Sequence, residues 1–430
     1  MNKKGETKIY TGGGARSHLI LIILSLIYMS DYADRMVVSS ILNFIKQDWN
    51  ISDAQAGWLT GVVLLFITIL SVPTAILVDR WSRRKIIAIM TFFWSFSTLA
   101  CRFAQNYTQL LIARMFVGLG EAGYSSAGAA MISAAYPDEK RARVMGIWNA
   151  SIPIGIAIGM TVGGLIARKW GWQNSFGVVA LPGFLLAIVA WFLPDYRTVK
   201  REQQGTGAGV FSEIWADFRG ILKIRSLVFN YFAFAMNVAC TTAMSHWLPS
   251  YFERVGLAEK GHGGALATPL FALVLVGVPL GGFLADAWQK KRRNGRMLLP
   301  ALTSFTAAFT LLIAFLHPGH KYQFYFLVLY GIAVTCFIAP ALSVTQDLVH
   351  PGIRAFAIGM GVLWQHIFGD VWSAPLIGFL SDLFKDDGGL LTAVLFIPLY
   401  GFTASILFLL GSKSYVRDLE KVEKITLEAE

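Results

Sequence analysis

The amino-acid sequence predicts an all-α polytopic membrane protein, with twelve transmembrane helices arranged as two six-helix bundles. Three observations predict it. Hydrophobic residues make up 55% of the 430-residue chain and charged residues only 15%, too little charge to cover a water-soluble protein of that length. Apolar runs recur from end to end, many close to the roughly 20 residues a helix needs to cross a hydrocarbon core about 30 Å thick. The Lys and Arg residues behind the net charge of +11 lie in short clusters between those runs, as membrane topology distributes them. They do not form the single patch of a nucleic-acid binder.

Periodicity and chain breakers start the twelve spans near residues 19, 54, 85, 107, 143, 173, 226, 262, 297, 321, 354 and 389. The first apolar run is too long for a signal-peptide core and lacks a small-residue cleavage site, so it stays as the first helix. After the sixth span comes the polar stretch DYRTVKREQQGTGAGVFSEIWADFRGILKIR, residues 195–225. It divides the chain into a bundle at 1–194, a cytoplasmic linker, and a bundle with a short tail at 226–430. The amphipathic FSEIWADFRGIL within it suits a membrane surface. Most Lys and Arg residues fall in the two tails and in the loops after even-numbered spans, which makes both termini cytoplasmic and the span count even. Cys101, Cys240 and Cys336 show no paired or metal-ligand spacing and read as packing residues.

The two halves repeat. The second span ends AILVDRWSRRK (75–85) and the eighth ends GFLADAWQKKRR (282–293), each with a small residue, Leu two before Asp, then basic residues. The fifth span carries GIAIGMTVGG (155–164) and the eleventh GDVWSAPLIGF (369–379), small residues where helices can approach closely. Such repeats commonly enclose a substrate site near the bilayer midplane.

AILVDRWSRRK resembles the loop signature of the major facilitator superfamily, with Ala75 where Gly is usual and, in the fifth helix, Met160 where Pro is usual. The resemblance implies that Asp79, Arg80, Arg83 and Arg84 belong to a cytoplasmic gating network, with Asp286 at the matching place in the second half. SDYADRMVVSSIL (30–42), ARMFVGLGEAGYS (113–125) and HIFGDVWSAPLIGFLSD (366–382) are most similar to the spinster-like transporters. That likeness implies proton-linked or facilitated movement of amphiphiles such as lysophospholipids and sphingosine phosphates. No cofactor is expected; the proton gradient is the energy source, and the partners are the bilayer, protons and a small or lipid-like substrate. A monomer in a bacterial inner membrane is the expected setting.

Ionisable groups at membrane depth cost about 2.5–3.5 kcal/mol each on insertion scales, so they face a cavity and pair. At about 1.5 Å of rise per residue, Asp34 lies roughly 15 Å below the outer end of the first helix, and Arg114 and Glu121 roughly 10 and 21 Å below that of the fourth. With Arg35 they form one layer. Seven residues is almost two turns, so Arg114 and Glu121 point the same way without meeting. The expected pairs are Asp34 with Arg114, and Glu121 with Arg35 or a water. Asp31, one turn from Arg35, is expected to pair with it along the helix. A carboxylate whose solvation alternates can load and release a proton, which makes Glu121 and Asp34 the candidate proton-coupling residues and Arg114 and Arg35 the candidate binders of an anionic head group.

In the second half His366 and Asp370 share a helix face at i,i+4, as a proton relay or as polar lining that meets substrate. His246, Tyr124, Asn149 and Trp364, with Trp148 and Gln365, are further candidates for the cavity wall. VGLGEAG sits inside an apolar helix and no Walker-type loop, HExxH, Cys cluster or serine-hydrolase elbow occurs, so ATP-driven transport and enzymatic hydrolysis find no support. The rivals are a proton symporter of a small organic anion and a non-transporting membrane sensor or scaffold.

Overall fold

The computed structural model describes residues 14–80, 82–194, 215, 218–350 and 353–421. They build twelve helical rods: α1 (Ala15–Trp49), α2 (Asp53–Arg80), α3 (Arg83–Cys101), α4 (Tyr107–Glu121 continued by Tyr124–Ala135), α5 (Asp138–Asn149 continued by Ser151–Trp170) and α6 (Trp172–Trp191). The second half supplies α7 (Arg225–Arg254), α8 (Gly263–Ala272 continued by Val274–Lys291), α9 (Gly295–Leu316), α10 (Gln323–Ala333 and Ile338–Asp347), α11 (Arg354–Gln365, a π-helical turn His366–Asp370, then Val371–Leu383) and α12 (Leu390–Ala393 leading into Ile397–Glu420). Eight of these are long and apolar enough to cross a membrane by composition alone. The other four include the three that carry intramembrane charge, α1, α4 and α11.

The first helix runs further than its apolar stretch suggests. Its 35 residues continue through Asn43–Trp49 until Asn50, whose left-handed φ of 49° ends it. The indole of Trp172 donates to Asp48 at 2.7 Å and crosses Trp49 edge to face, which holds this polar C-terminal end in place.

The rods form two compact units. Unit 1 holds residues 1–51, 62–199 and 258–268, and unit 2 holds 52–61, 200–257 and 269–430. Each unit therefore takes one short helix end from the opposite half of the chain. In unit 1, α1 packs on α5 and α6, and α3 packs on α6 and α4. In unit 2 the same pattern recurs six rods later: α7 packs on α11 and α12, and α9 on α12 and α10. Helical residues 218–223 bring Ile221 into the apolar core of unit 2, while Trp215 stays exposed.

Small residues set the closest approaches. A Cβ added to Gly155 or Gly159 of α5 would strike the carbonyls of Met29 and Ala33 on α1, so these glycines let α5 lie directly against the charged stretch. Gly369 of α11 meets the Ala235 carbonyl of α7 in the equivalent manner. The borrowed segment of unit 1 docks by the same device: Gly164 lies against Gly261, Gly264 against the Met160 carbonyl, and the Thr161 and Thr268 hydroxyls are 3.1 Å apart.

Candidate functional site

In unit 1, α1, α3 and α4 bring a charged layer together. Asp31, Asp34, Arg114 and Glu121 are all at most 2% exposed. Arg114 Nη1 meets Asp34 Oδ1 at 3.2 Å, and the Thr98 hydroxyl of α3 donates to Asp34 Oδ2. Arg35 Nε lies 2.9 Å from Glu121 Oε2, and its Nη2 lies 3.0 Å from Asp31 Oδ2. Its guanidinium also sits 5.0 Å from the Tyr32 ring. These are the pairs expected from the sequence. The physical reason is that an unpaired charge here is so costly that each must find the opposite sign within reach. Thr98 was not foreseen, because a lone hydroxyl on an apolar helix gives no signal in one sequence.

The aromatic residues beside this layer are packing. Tyr28 stacks on Trp148 with centroids 4.4 Å apart. The Tyr124 hydroxyl and the Trp148 indole, the latter at 3.3 Å, both donate to the Leu24 carbonyl. Tyr124 is 1% exposed and Trp148 3%, and the polar ends of both are satisfied by backbone. Asn149 is exposed and folds back to the Met145 carbonyl at 2.8 Å.

In unit 2, His366 Nδ1 is 2.9 Å from Asp370 Oδ2, and the pair opens and closes the π-helical turn of α11. A single π turn inside an α-helix is a frequent companion of functional sites. His246 is buried with Nδ1 2.8 Å from the Thr60 hydroxyl. Trp364 packs among Tyr231, Phe232 and Phe368. Gln365 lines a narrow cleft with Asn230 and Thr345.

Among the candidate gating residues, Asp286 pairs with Arg296 at 2.8 Å, and Arg296 reaches on to Asp347 at 2.7 Å, which also accepts from the Tyr415 hydroxyl. Arg83 is buried and Arg84 donates to the Leu193 carbonyl at 3.1 Å. The side chains of Asp79 and Arg80 lie outside the described residues. A further cluster went unread in the sequence: Arg254 grips Asp53 through both Nη atoms at 2.7 and 2.8 Å, Ser381 donates to Asp53 at 2.6 Å, and the Asp382 carboxylate accepts the backbone N–H groups of Asp53 and Ala54 at 2.8 Å each.

Residues 24–372 match the family Major Facilitator Superfamily. The chain belongs to that superfamily. Its relatives within the Major Facilitator Superfamily include the sphingosine-1-phosphate transporter SPNS2 of Xenopus tropicalis, 26% identical over 94% of this chain and 83% of the relative. Protein spinster homolog 1 of Xenopus laevis is likewise 26% identical, over 88% and 75%. An MFS-type efflux pump of Mycolicibacterium smegmatis is 26% identical over 95% of both chains. Among solved structures, a bacterial homologue of the human lysosomal transporter spinster, inward-facing and occupied, superposes with a TM-score of 0.82 at 21% identity, covering 95% of this chain and 99% of that one. The protein is thus a transporter of the Major Facilitator Superfamily, similar to the spinster transporters, an integral multi-pass membrane protein and not an enzyme.

Proposed function

We propose that this transporter is secondary active, works by alternating access, draws on a proton gradient and moves an amphiphile with an anionic or zwitterionic head, such as a lysophospholipid. The observation that carries the reading is the buried pairing of Glu121 with Arg35 and of Asp34 with Arg114. Protonating either carboxylate frees a guanidinium from its partner, and an anionic head arriving at Arg114 or Arg35 competes with the same carboxylates. Proton and substrate then act on one set of bonds, which is what coupling requires. The named activity of the SPNS2 relatives as sphingosine-1-phosphate transporters supports an amphiphilic cargo. The distribution of Lys and Arg supports cytoplasmic termini; a bacterial inner membrane and a monomeric working unit complete the reading.

The test is flux into proteoliposomes of a radiolabelled lysophospholipid and a panel of small organic acids, with and without a pH gradient. Lysolipid movement accelerated by the gradient is the expected result. Uptake of an acid alone would replace this reading with that of an organic-anion symporter, and no flux of either would favour a sensor or scaffold.

A further inference from the structure

Among the described residues, the buried layer of unit 1 holds three carboxyl groups and two guanidinium groups. Asp34 is matched by Arg114. Arg35 faces two acids at once, Glu121 at Nε and Asp31 at Nη2. Those nitrogens are neighbours on one planar group, on an edge that suits a single bidentate carboxylate; two separate carboxylates divide it here. Both acids thus bear on the same edge of one guanidinium. Apart from Arg35 at Oε2, no donor reaches the Glu121 oxygens among the described residues, and the Asp31 and Glu121 side chains are 1% and 0% exposed. Two buried carboxylates that divide one cation do not both ionise cheaply.

We propose that Asp31 and Glu121 share one proton in this conformation, held against the side edge of Arg35. The proton supplies an O–H donor beside the Glu121 oxygen that Arg35 does not reach and leaves the layer neutral, with two ionised acids, one protonated acid and two guanidiniums. Its loss to water leaves one negative charge in excess. The charged and titratable groups facing the pair are Tyr28, Tyr32, Asp34 and Arg35 on α1, with Arg114 and Tyr124 on α4. Between Ser151 and Ala167, α5 offers none. Asp31 thereby becomes part of the proton site and not merely a neighbour of Arg35. Its use in transport rests on the proton-linked reading above, whereas the shared proton does not.

Infrared difference spectroscopy tests the site on the full-length protein in phosphatidylcholine liposomes, titrated in sodium-free buffer and again with sodium. The parent protein is expected to show a protonated-carboxyl carbonyl band near neutral pH, unchanged by sodium. That band is lost in Asp31→Asn and in Glu121→Gln and kept in Asp286→Asn. Absence of the band from the parent protein, its persistence in both variants, or its displacement by sodium overturns the proposal; the parent measurement decides even where a variant fails to fold. Flux in the same liposomes separates the two claims. Gradient-indifferent flux with the band present removes coupling and leaves the shared proton, and coupled flux without the band does the reverse.

Discussion

At the scale of single residues, the charged layer makes its members unequal. Arg114→Ala leaves Asp34 buried without its cation, a change that costs about 3–5 kcal/mol in comparable buried pairs. Adding Asp34→Asn removes the stranded charge, so the double variant is expected to regain most of that loss; thermal unfolding in detergent reads it, and simple additivity of the two would mean that the pair is not coupled. Glu121→Gln keeps the shape and removes the titration. Substrate flux in that variant is expected to lose its response to a pH gradient while the protein remains folded, and an unchanged pH profile would remove Glu121 from the mechanism.

At the scale of elements, the layer exists because helices can approach. Gly159→Leu drives a side chain into the Ala33 carbonyl. Overpacking of this kind costs about 1–3 kcal/mol, and the same substitution at exposed Gly146, where an added Cβ meets nothing, is expected to leave the melting temperature nearly unchanged. The start of α2 depends on a remote cap, since Asp382 binds the first two N–H groups of the helix. Asp382→Ala is expected to cost about 0.5–2 kcal/mol, the range for loss of an N-cap, and faster hydrogen exchange at Asp53 and Ala54 is the local signature to look for. Helix existence was legible in the sequence because hydropathy and breakers are local properties. The break at Ala122–Gly123 and the π turn at His366–Asp370 were not, since neither contains a proline and both are settled by packing.

At the scale of the whole molecule, cytoplasmic termini are expected on both sides of the chain. Cysteines placed in the N-terminal and C-terminal tails should resist a membrane-impermeant thiol reagent in intact cells and react once the cells are opened; labelling of only one would contradict the even span count. The twelve spans and the two principal ion pairs were readable from the sequence because both follow from the cost of burying polar groups in hydrocarbon. The bond between Asp53 and Arg254, 201 residues apart, was not, because Arg254 reads as one more outer-loop cation. Asp31 was underread for the opposite reason: an i,i+4 arginine explained it so well locally that the third acid of the layer was never counted against two cations.

The borrowed segment of unit 1 has a consequence for how the chain is made. Residues 258–268 complete that unit against α5, yet they leave the ribosome after the whole of α6, the linker and α7. The first bundle therefore enters the membrane with the Gly164 surface bare, and it can close that surface only once the eighth helix begins to insert. A nascent chain halted so that residue 257 is the last to have cleared the ribosomal tunnel should be cut by protease more readily than one from which residues 258–268 have emerged, with the added susceptibility confined to the end of α5 that carries Gly164.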